Sequence, residues 1–373
     1  MLYRVREVAG KRDLKRFIRF PESLYKGCSQ YVPPLHKGQE HELMHAASLK
    51  YCQRKMWLAE DASGKVVGRI CAMINPRYNE KYGTKRARFG WFDLINDMDV
   101  AKLLFDAAES WAKGEGMDEI HGPLYYNTLG RQGMLVEGFD KLAPFTCLYN
   151  YPYYVDIVQK LGFEKECDWI QYMMPADKGS GNRLKEISDR LMQRHNLRIA
   201  DFDVLKKDRN MVRQFFRMYN ESFDGHVYNF VPFTEDEVEE EIDQIIGQLD
   251  SRLCCVIMDA DDEIAAFGIA MPSVSKAMQK ARGNLFPFGW YHVLRAMKDF
   301  TCLDLMLVGA APKWQNTGVS ALIHGMMAQQ AQECGARWAL ANPQIETNTA
   351  VNVWTRYDHE LWMRRRCWIK KIK

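Results

Sequence analysis

A repeated order of elements constrains this chain more than any single residue does. Residues 56–76, MWLAEDASGKVVGRICAMINP, read as two strands of alternating polarity around a turn at Ser63-Gly64. Residues 252–273, RLCCVIMDADDEIAAFGIAMPS, read the same way around a turn at Asp259 to Asp262. Helical segments precede each hairpin, and a third strand follows each, RFGWFDLIND at 88–97 and CLDLMLVGAAP at 302–312. Each third strand leads into an amphipathic helix ending at glycine, DVAKLLFDAAESWAKGEGM and GVSALIHGMMAQQAQECGA. A further strand follows each helix, EIHGPLYY and RWALANPQ. The order strand, strand, strand, helix, strand thus occurs twice and predicts a duplicated α/β architecture. Pro, Gly and Ser cluster in MPADKGSGNRLKE (174–186), which sets a boundary between residues 1–178 and 179–373.

Composition narrows the class. The 373 residues suffice for two domains, and 47% hydrophobic with 27% charged residues is the balance of a globular chain. A formal net charge of +3 carries no electrostatic footprint for nucleic acid. The ten cysteines include no Cys-x-x-Cys pair, and Cys254-Cys255 lies in an apolar run, so buried, reduced thiols are expected. The opening MLYRVREVAGKRDLKRF is charged within six residues and lacks the apolar core of a secretion signal. No window reaches the ~18 apolar residues of a membrane span. The expectation is a cytoplasmic protein, with peripheral contact at the inner membrane left open.

The strongest local motif is VGAAPKWQNTGVSALIHGM, in which a strand ends at Val308-Gly309, a loop carries Gln315-x-x-Gly318, and a helix starts at once. Such a loop aims several backbone N–H groups at one small space near the positive end of a helix dipole, which suits a pyrophosphate. An ordinary strand-to-helix turn would look the same in the sequence. The motif resembles the acyl-CoA loop of the GNAT acyltransferase superfamily, Gln/Arg-x-x-Gly-x-Gly/Ala. Gln315, Gly318 and Ser320 stand at its positions, with serine replacing the usual Gly or Ala. In the first half, NYPYYVDIVQKLGFEKECDW (150–169) resembles the superfamily's fourth helix, whereas the loop after FGWFDLIND has no such glycine.

The resemblance implies an α/β fold of two GNAT-like (acyl-CoA N-acyltransferase) domains in tandem, each a mixed, mostly antiparallel sheet flanked by helices. It implies a degenerate acyl-CoA loop in residues 1–178. The thioester of coenzyme A would then lie in residues 179–373, at Val308, Gly309, Gln315, Asn316, Thr317, Gly318, Val319 and Ser320. The oxyanion donor would be the backbone N–H near Val308. Acyl transfer to an amine also needs a base and an acid. Base candidates at strand ends are Asp304, Glu346 and Asp93. The acid of many relatives is a Tyr on the fourth helix, and here Trp354, Thr355 and Tyr357 fall nearest that place.

The runs FPESLYKG, YVPPL, RFGWFD, GMLVEGFD, YNYPYY and RRRCW resemble a bacterial tandem-GNAT family that includes bacterial ceramide synthases. Asn127, Thr128 and Gly130 depart from more acidic residues in that family. The resemblance implies an N-acyltransferase that takes acyl-CoA, or acyl carrier protein, to a sphingoid base or other lipid-like amine. A small polar amine as acceptor, and a GNAT-fold protein that binds without turnover, stay open. Residues 284–300, NLFPFGWYHVLRAMKDF, place aromatics beside Arg282, Arg295 and Lys298, as a membrane-facing or acceptor-admitting mouth would. A buried core helix is the other reading. In EHELMH, the pattern His41-Glu42-x-x-His45 has zinc-protease spacing, but no third ligand accompanies it, so no metal is expected.

Overall fold

The computed structural model describes residues 2–176, 190–225, 227–244, 246–348 and 358–372. The expected boundary at 178/179, and Trp354, Thr355 and Tyr357, lie outside the described residues. Two compact units form, and neither is a contiguous stretch. The first comprises Met1–Ile170, Val274–Leu294 and Trp362–Lys373; the second comprises Gln171–Ser273 and Arg295–Leu361.

The first unit opens with β1 (Tyr3–Glu7), α1 (Gly10–Leu24) and α2 (His36–Met44), then the hairpin of β2 (Gln53–Asp61) and β3 (Val66–Ile74). Asp61 makes that turn by accepting from the N–H groups of Ser63 (2.9 Å) and Lys65 (3.0 Å). There follow α3 (Pro76–Tyr82), β4 (Arg86–Leu94), α4 (Met98–Gly114), β5 (Glu119–Gly122), β6 (Met134–Glu137), α5 (Tyr153–Lys160) and β7 (Glu164–Pro175). Strands β1 to β4 pair antiparallel in sequence order, and β4 runs parallel to β5 from Arg86↔Glu119 to Arg88↔His121. One face of this sheet packs Phe89, Phe92, Phe105 and Phe163 beneath α4 and α5. The other packs Leu14, Phe17, Leu43 and Trp91 beneath α1 and α2.

The second unit repeats the plan. It contains β8 (Arg198–Ile199), α6 (Phe202–Leu205), α7 (Arg209–Phe223) and α8 (Glu235–Gln244), then the hairpin of β9 (Cys254–Met258) and β10 (Ile264–Pro272). Asp259 makes the turn as Asp61 does, accepting from the N–H groups of Asp261 and Glu263, both at 3.0 Å. The chain then passes through α9 (Ser275–Ala281) and α10 (Gly289–Lys298), of which residues up to Leu294 belong to the first unit, before β11 (Cys302–Ala310) leads into α11 (Val319–Glu333), β12 (Trp338–Leu340) and β13 (Gln344–Ile345) of the second. Residues Met173–Pro175 at the end of β7 pair antiparallel with β12 and extend this sheet. Both units carry a glycine where the hairpin's second strand passes beneath the helix that follows the next strand. A Cβ on Gly68 would stand 2.8 Å from Leu104 Cδ1, and one on Gly268 would stand 2.9 Å from Met327 Cγ. The duplication read from the sequence is therefore present in packing as well as order.

The chain's final strand, β14 (Glu360–Lys371), serves the first unit. It pairs antiparallel with β5 from Trp368↔Gly122 to Lys371↔Glu119. Arg366 holds it against β7 through two hydrogen bonds to Asp168, at 2.7 and 2.9 Å.

Gly122 marks where β5 leaves β4. Its φ is +153°, and a Cβ there would lie 2.3 Å from the Phe89 carbonyl oxygen. Gly116 also has a positive φ (+81°) but faces open space. Gly122→Ala should therefore cost about 2–4 kcal/mol of unfolding free energy, against about 1 kcal/mol for Gly116→Ala. Urea denaturation of both variants decides this, and equal losses would contradict the close approach.

Candidate active site

In the second unit β10 and β11 pair one to one from Pro272↔Leu303 to Ala270↔Leu305, but Ile269 faces Leu307. Met306 is thus the extra residue of a β-bulge, which bends the strand and raises its twist. The parallel ladder of β11 with β12 spans only Cys302↔Trp338 to Asp304↔Leu340. Beyond Asp304 β12 no longer pairs with β11, so on that side the remainder of β11, including Val308 and Gly309, borders a slot in the strand pairing.

The loop past β11 is built from both sides. Lys313 pairs with Asp259 (2.6 Å) and Glu263 (2.8 Å), and the Thr317 hydroxyl donates to the Trp314 carbonyl (2.7 Å). Asn316 and Gly318 take left-handed backbone, φ +63° and +94°. Gly318 caps α11 with no side-chain acceptor, and the helix has no acid in its first turn. Among the described residues, the N–H groups of Val319 and Ser320 therefore meet no side-chain cap and no acid of the helix's own first turn. Gly318 is needed for its φ rather than for space, because a Cβ would meet only Leu191, at 3.4 Å. Gly309 is a packing glycine whose Cβ would strike the Phe267 ring at 2.7 Å.

The first unit has the same device in a closed form. Arg69 faces Asp93 and Cys71 faces Gly90, so Trp91 and Phe92 together oppose one residue, with Trp91 at φ +42°. Gly68↔Leu94 corresponds to Gly268↔Val308, which matches Leu94 to Val308. The Leu94 N–H donates to the Tyr154 hydroxyl of α5 at 3.0 Å. That hydroxyl lies 3.0 Å from the Tyr25 hydroxyl, which donates to Asp93 (2.8 Å). Arg69 Nε also donates to Asp93, at 2.7 Å. Burial and the Asp93 charge push Tyr154 well above its ordinary pKa, so it stays protonated. Trp91 stacks on Tyr125 with ring centroids 3.6 Å apart. What is left of the slot is a void of about 20 Å³ lined by Trp91, Phe92, Asp93, Pro123 and Tyr154. That volume holds about one water molecule. At the N-terminus of α4 the Asp97 carboxylate accepts from Asp99 N–H (2.9 Å) and Val100 N–H (3.3 Å), where a phosphate would sit.

The candidate residues fall unevenly across this frame. Val308, Gly309, Gln315, Asn316, Thr317, Gly318, Val319 and Ser320 lie together on the slot and loop of the second unit. Asp304 sits at the last position of β11 that pairs with β12 and is buried. Its two oxygens lack a hydrogen bond of ordinary geometry, and only the Ser273 hydroxyl opposes the desolvation that raises its pKa to about 7. Glu346 is exposed on the turn after β13. Asp93 belongs to the first unit and is held by Arg69 and Tyr25. Tyr154, in the first half, is not among the residues expected from the sequence, where the fourth-helix tyrosine is placed in the second half. The signal was present in NYPYY, ahead of Leu161-Gly162-Phe163.

His41 lies on α2 and His45 just past its end, with ring centroids 6.1 Å apart. Among the described residues one group has metal-binding spacing, His121, Glu166 and Cys367, with ligand atoms within 4.8 Å of one another. Glu166 there already pairs with Arg86 (2.8 Å) and His121 (3.1 Å), an internally neutralised cluster.

No family model matches the sequence. The chain is 30% identical over 377 residues to protein YghO of Escherichia coli (strain K12), covering 99% of this chain and 95% of that one. It is 26% identical over 361 residues to a bacterial ceramide synthase of Caulobacter vibrioides (strain NA1000 / CB15N), covering 91% of each. Among solved structures, a tandem GNAT protein from the clavulanic acid biosynthesis pathway matches with a TM-score of 0.58 at 9% identity, covering 100% of this chain and 99% of that one.

The raised pKa of Asp304 has a measurable sign. Between about pH 4 and pH 7 the folded protein holds this proton while the unfolded chain has released it. Stability therefore falls as pH rises through that window and levels off above pH 7, by up to about 4 kcal/mol. Asp304→Asn removes the dependence, so its melting temperature relative to the parent should rise from pH 5 to pH 8. Parallel melting profiles across that range would show that Asp304 is ionised in the folded state throughout.

Proposed function

This chain belongs to the tandem GNAT family, and on that premise we propose an N-acyltransferase whose second unit carries an acyl group from coenzyme A to an amine. The observation that carries this reading is the contrast between the two bulged strands. In the first unit Tyr154 takes the N–H at the Leu94 position and Asp97 takes the helix N-terminus. In the second unit α11 begins at Gly318 with no side-chain cap and no acid in its first turn.

In the proposed reaction the pyrophosphate rests on the loop Gln315 to Ser320. The thioester carbonyl accepts from the Val308 N–H, which stabilises the negative oxygen of the tetrahedral intermediate. The amine lone pair attacks the carbonyl carbon, a C–N bond forms and the C–S bond breaks. Asp304, with its pKa near neutrality, takes the proton from the amine, which suits a base working close to its own pKa. The thiolate leaves with a proton from water or from an acid outside the described residues. Asp304 replaces Glu346 as the preferred base because Glu346 is exposed and Asp304 is desolvated.

For the acceptor we infer a sphingoid base or similar amphiphile. The Caulobacter relative is named a ceramide synthase. In the first unit, Phe286 and Phe288 are 76% and 72% exposed. The buried-helix reading of residues 284–294 is thereby corrected, since those rings face water. The deciding experiment incubates the purified protein with acetyl- to palmitoyl-coenzyme A and with sphinganine or short polar amines, reading products by mass spectrometry. Transfer to polar amines alone would remove the amphiphile. No transfer to any amine would leave a binding protein.

Two variants probe the machinery. Gly318→Asp sets a carboxylate against the pyrophosphate and should weaken coenzyme A binding by at least roughly tenfold in isothermal titration; unchanged affinity would move the donor elsewhere. Asp304→Asn should lower kcat by roughly 10²–10⁴-fold with coenzyme A affinity retained, and an unchanged kcat would remove it as the base.

A further inference from the structure

Five of the fourteen large hydrophobic side chains exposed among the described residues fall within nine positions: Phe286, Phe288, Trp290, Tyr291 and Leu294. They are held out by a built turn. The Trp290 N–H donates to the Leu285 carbonyl (2.7 Å), its indole Nε1 donates to the Pro287 carbonyl (2.8 Å), and the Tyr291 N–H donates to the Phe288 carbonyl (3.2 Å). The turn closes tightly on Gly289, where a Cβ would lie 2.1 Å from the Asn284 carbonyl oxygen. The first unit anchors its base. The His36 N–H donates to the Gly283 carbonyl (2.9 Å), and Gln279 Nε2 donates to the carbonyls of Ser29 (2.8 Å) and Tyr31 (2.9 Å).

Cations surround these rings. Lys276, Lys280 and Arg282 are exposed, as are Arg295 and Lys298 in the last turns of α10. None of the five has a carboxylate partner among the described residues, although the protein pairs many of its other surface cations. An open groove of about 900 Å³ is lined by Lys276, Lys280, Arg282 and His292 together with Phe286 and Phe288. Projecting rings and unpaired positive charge share one surface.

We propose that residues 276–298 dock this protein onto an anionic membrane surface, with Phe286, Phe288 and Leu294 inserted among the lipids and the five cations on headgroup phosphates. Exposed rings gain by leaving water at the interface, and Lys and Arg gain from the negative surface potential. A protein partner would need several convergent carboxylates to neutralise the same cations, whereas an anionic bilayer supplies them at any orientation. Docking goes beyond the acyl-transfer reading and stands whichever amine is acylated.

Flotation of the full-length protein with lipid vesicles tests it, without acyl donor or amine, so failure here is separate from failure of acyl transfer. The protein should float with phosphatidylcholine vesicles containing phosphatidylglycerol and stay at the bottom with phosphatidylcholine alone. Neutralising Lys276 and Lys280 as glutamine should lower partitioning roughly fivefold per cation. The pair Phe286→Ser and Leu294→Ser should lower it at least roughly tenfold. Because these side chains are exposed, both variants should melt with the parent, which circular dichroism checks. The proposal is overturned if the parent does not float with anionic vesicles. It is also overturned if the serine variant floats like the parent, which would leave electrostatic adsorption without inserted rings.

Discussion

One extra residue in a strand underlies the candidate site. A β-ladder advances residue against residue, so Met306 opposite no partner turns β11 away from the line that β12 follows. Parallel pairing stops at Asp304↔Leu340, and the strand beyond stays paired to β10 on one side only, leaving the backbone groups of its other edge without a partner strand. Asp304 lies at that fork. Burial makes its charge costly, and the same burial brings its pKa to about 7, so one local event supplies both the slot and a titrating carboxyl group.

The first unit shows what happens when the same opening is filled from within. Its bulge at Trp91 and Phe92 also releases a backbone N–H, that of Leu94, but Tyr154 reaches it, and Tyr25, Asp93 and Arg69 complete a buried network. A polar group buried without a partner costs about 1–3 kcal/mol, so such a network either closes fully or is replaced by a ligand. Here it closes. At the neighbouring helix end, Asp97 supplies the negative charge that the N-terminal dipole favours. Duplication thus produced one unit that satisfies itself and one whose corresponding helix begins with no side-chain cap and no acid in its first turn among the described residues.

The first unit also depends on the far end of the chain. Strand β14 sits against β5 and is tied by Arg366 to Asp168, while Val274–Leu294 belongs to the same unit. Its sheet is complete only when residues separated by more than 200 positions come together, an expensive closure for the folding chain. The reward is a fully buried strand centre, with Cys367 and Trp368 inaccessible to water. Truncating the last strand would therefore harm the unit at the other end of the sequence.

What could be read directly from the sequence was local. Alternating polarity marked both hairpins, aspartates and glycines marked their turns, and Gln315-x-x-Gly318 between a strand and a helix marked the loop, because each depends on residues a few positions apart. Only the tertiary structure placed β14 in the first unit, since strand pairing is chosen among distant partners of similar pattern. Only it exposed residues 284–294, because an amphipathic run has the same periodicity whether its apolar face meets a core or water. It also set Asp93 and Asp304 apart, two carboxylates alike in the sequence. Arg69 stands beside one and apolar strands surround the other, and the cost of a buried charge is decided by what lies within a few ångströms in space.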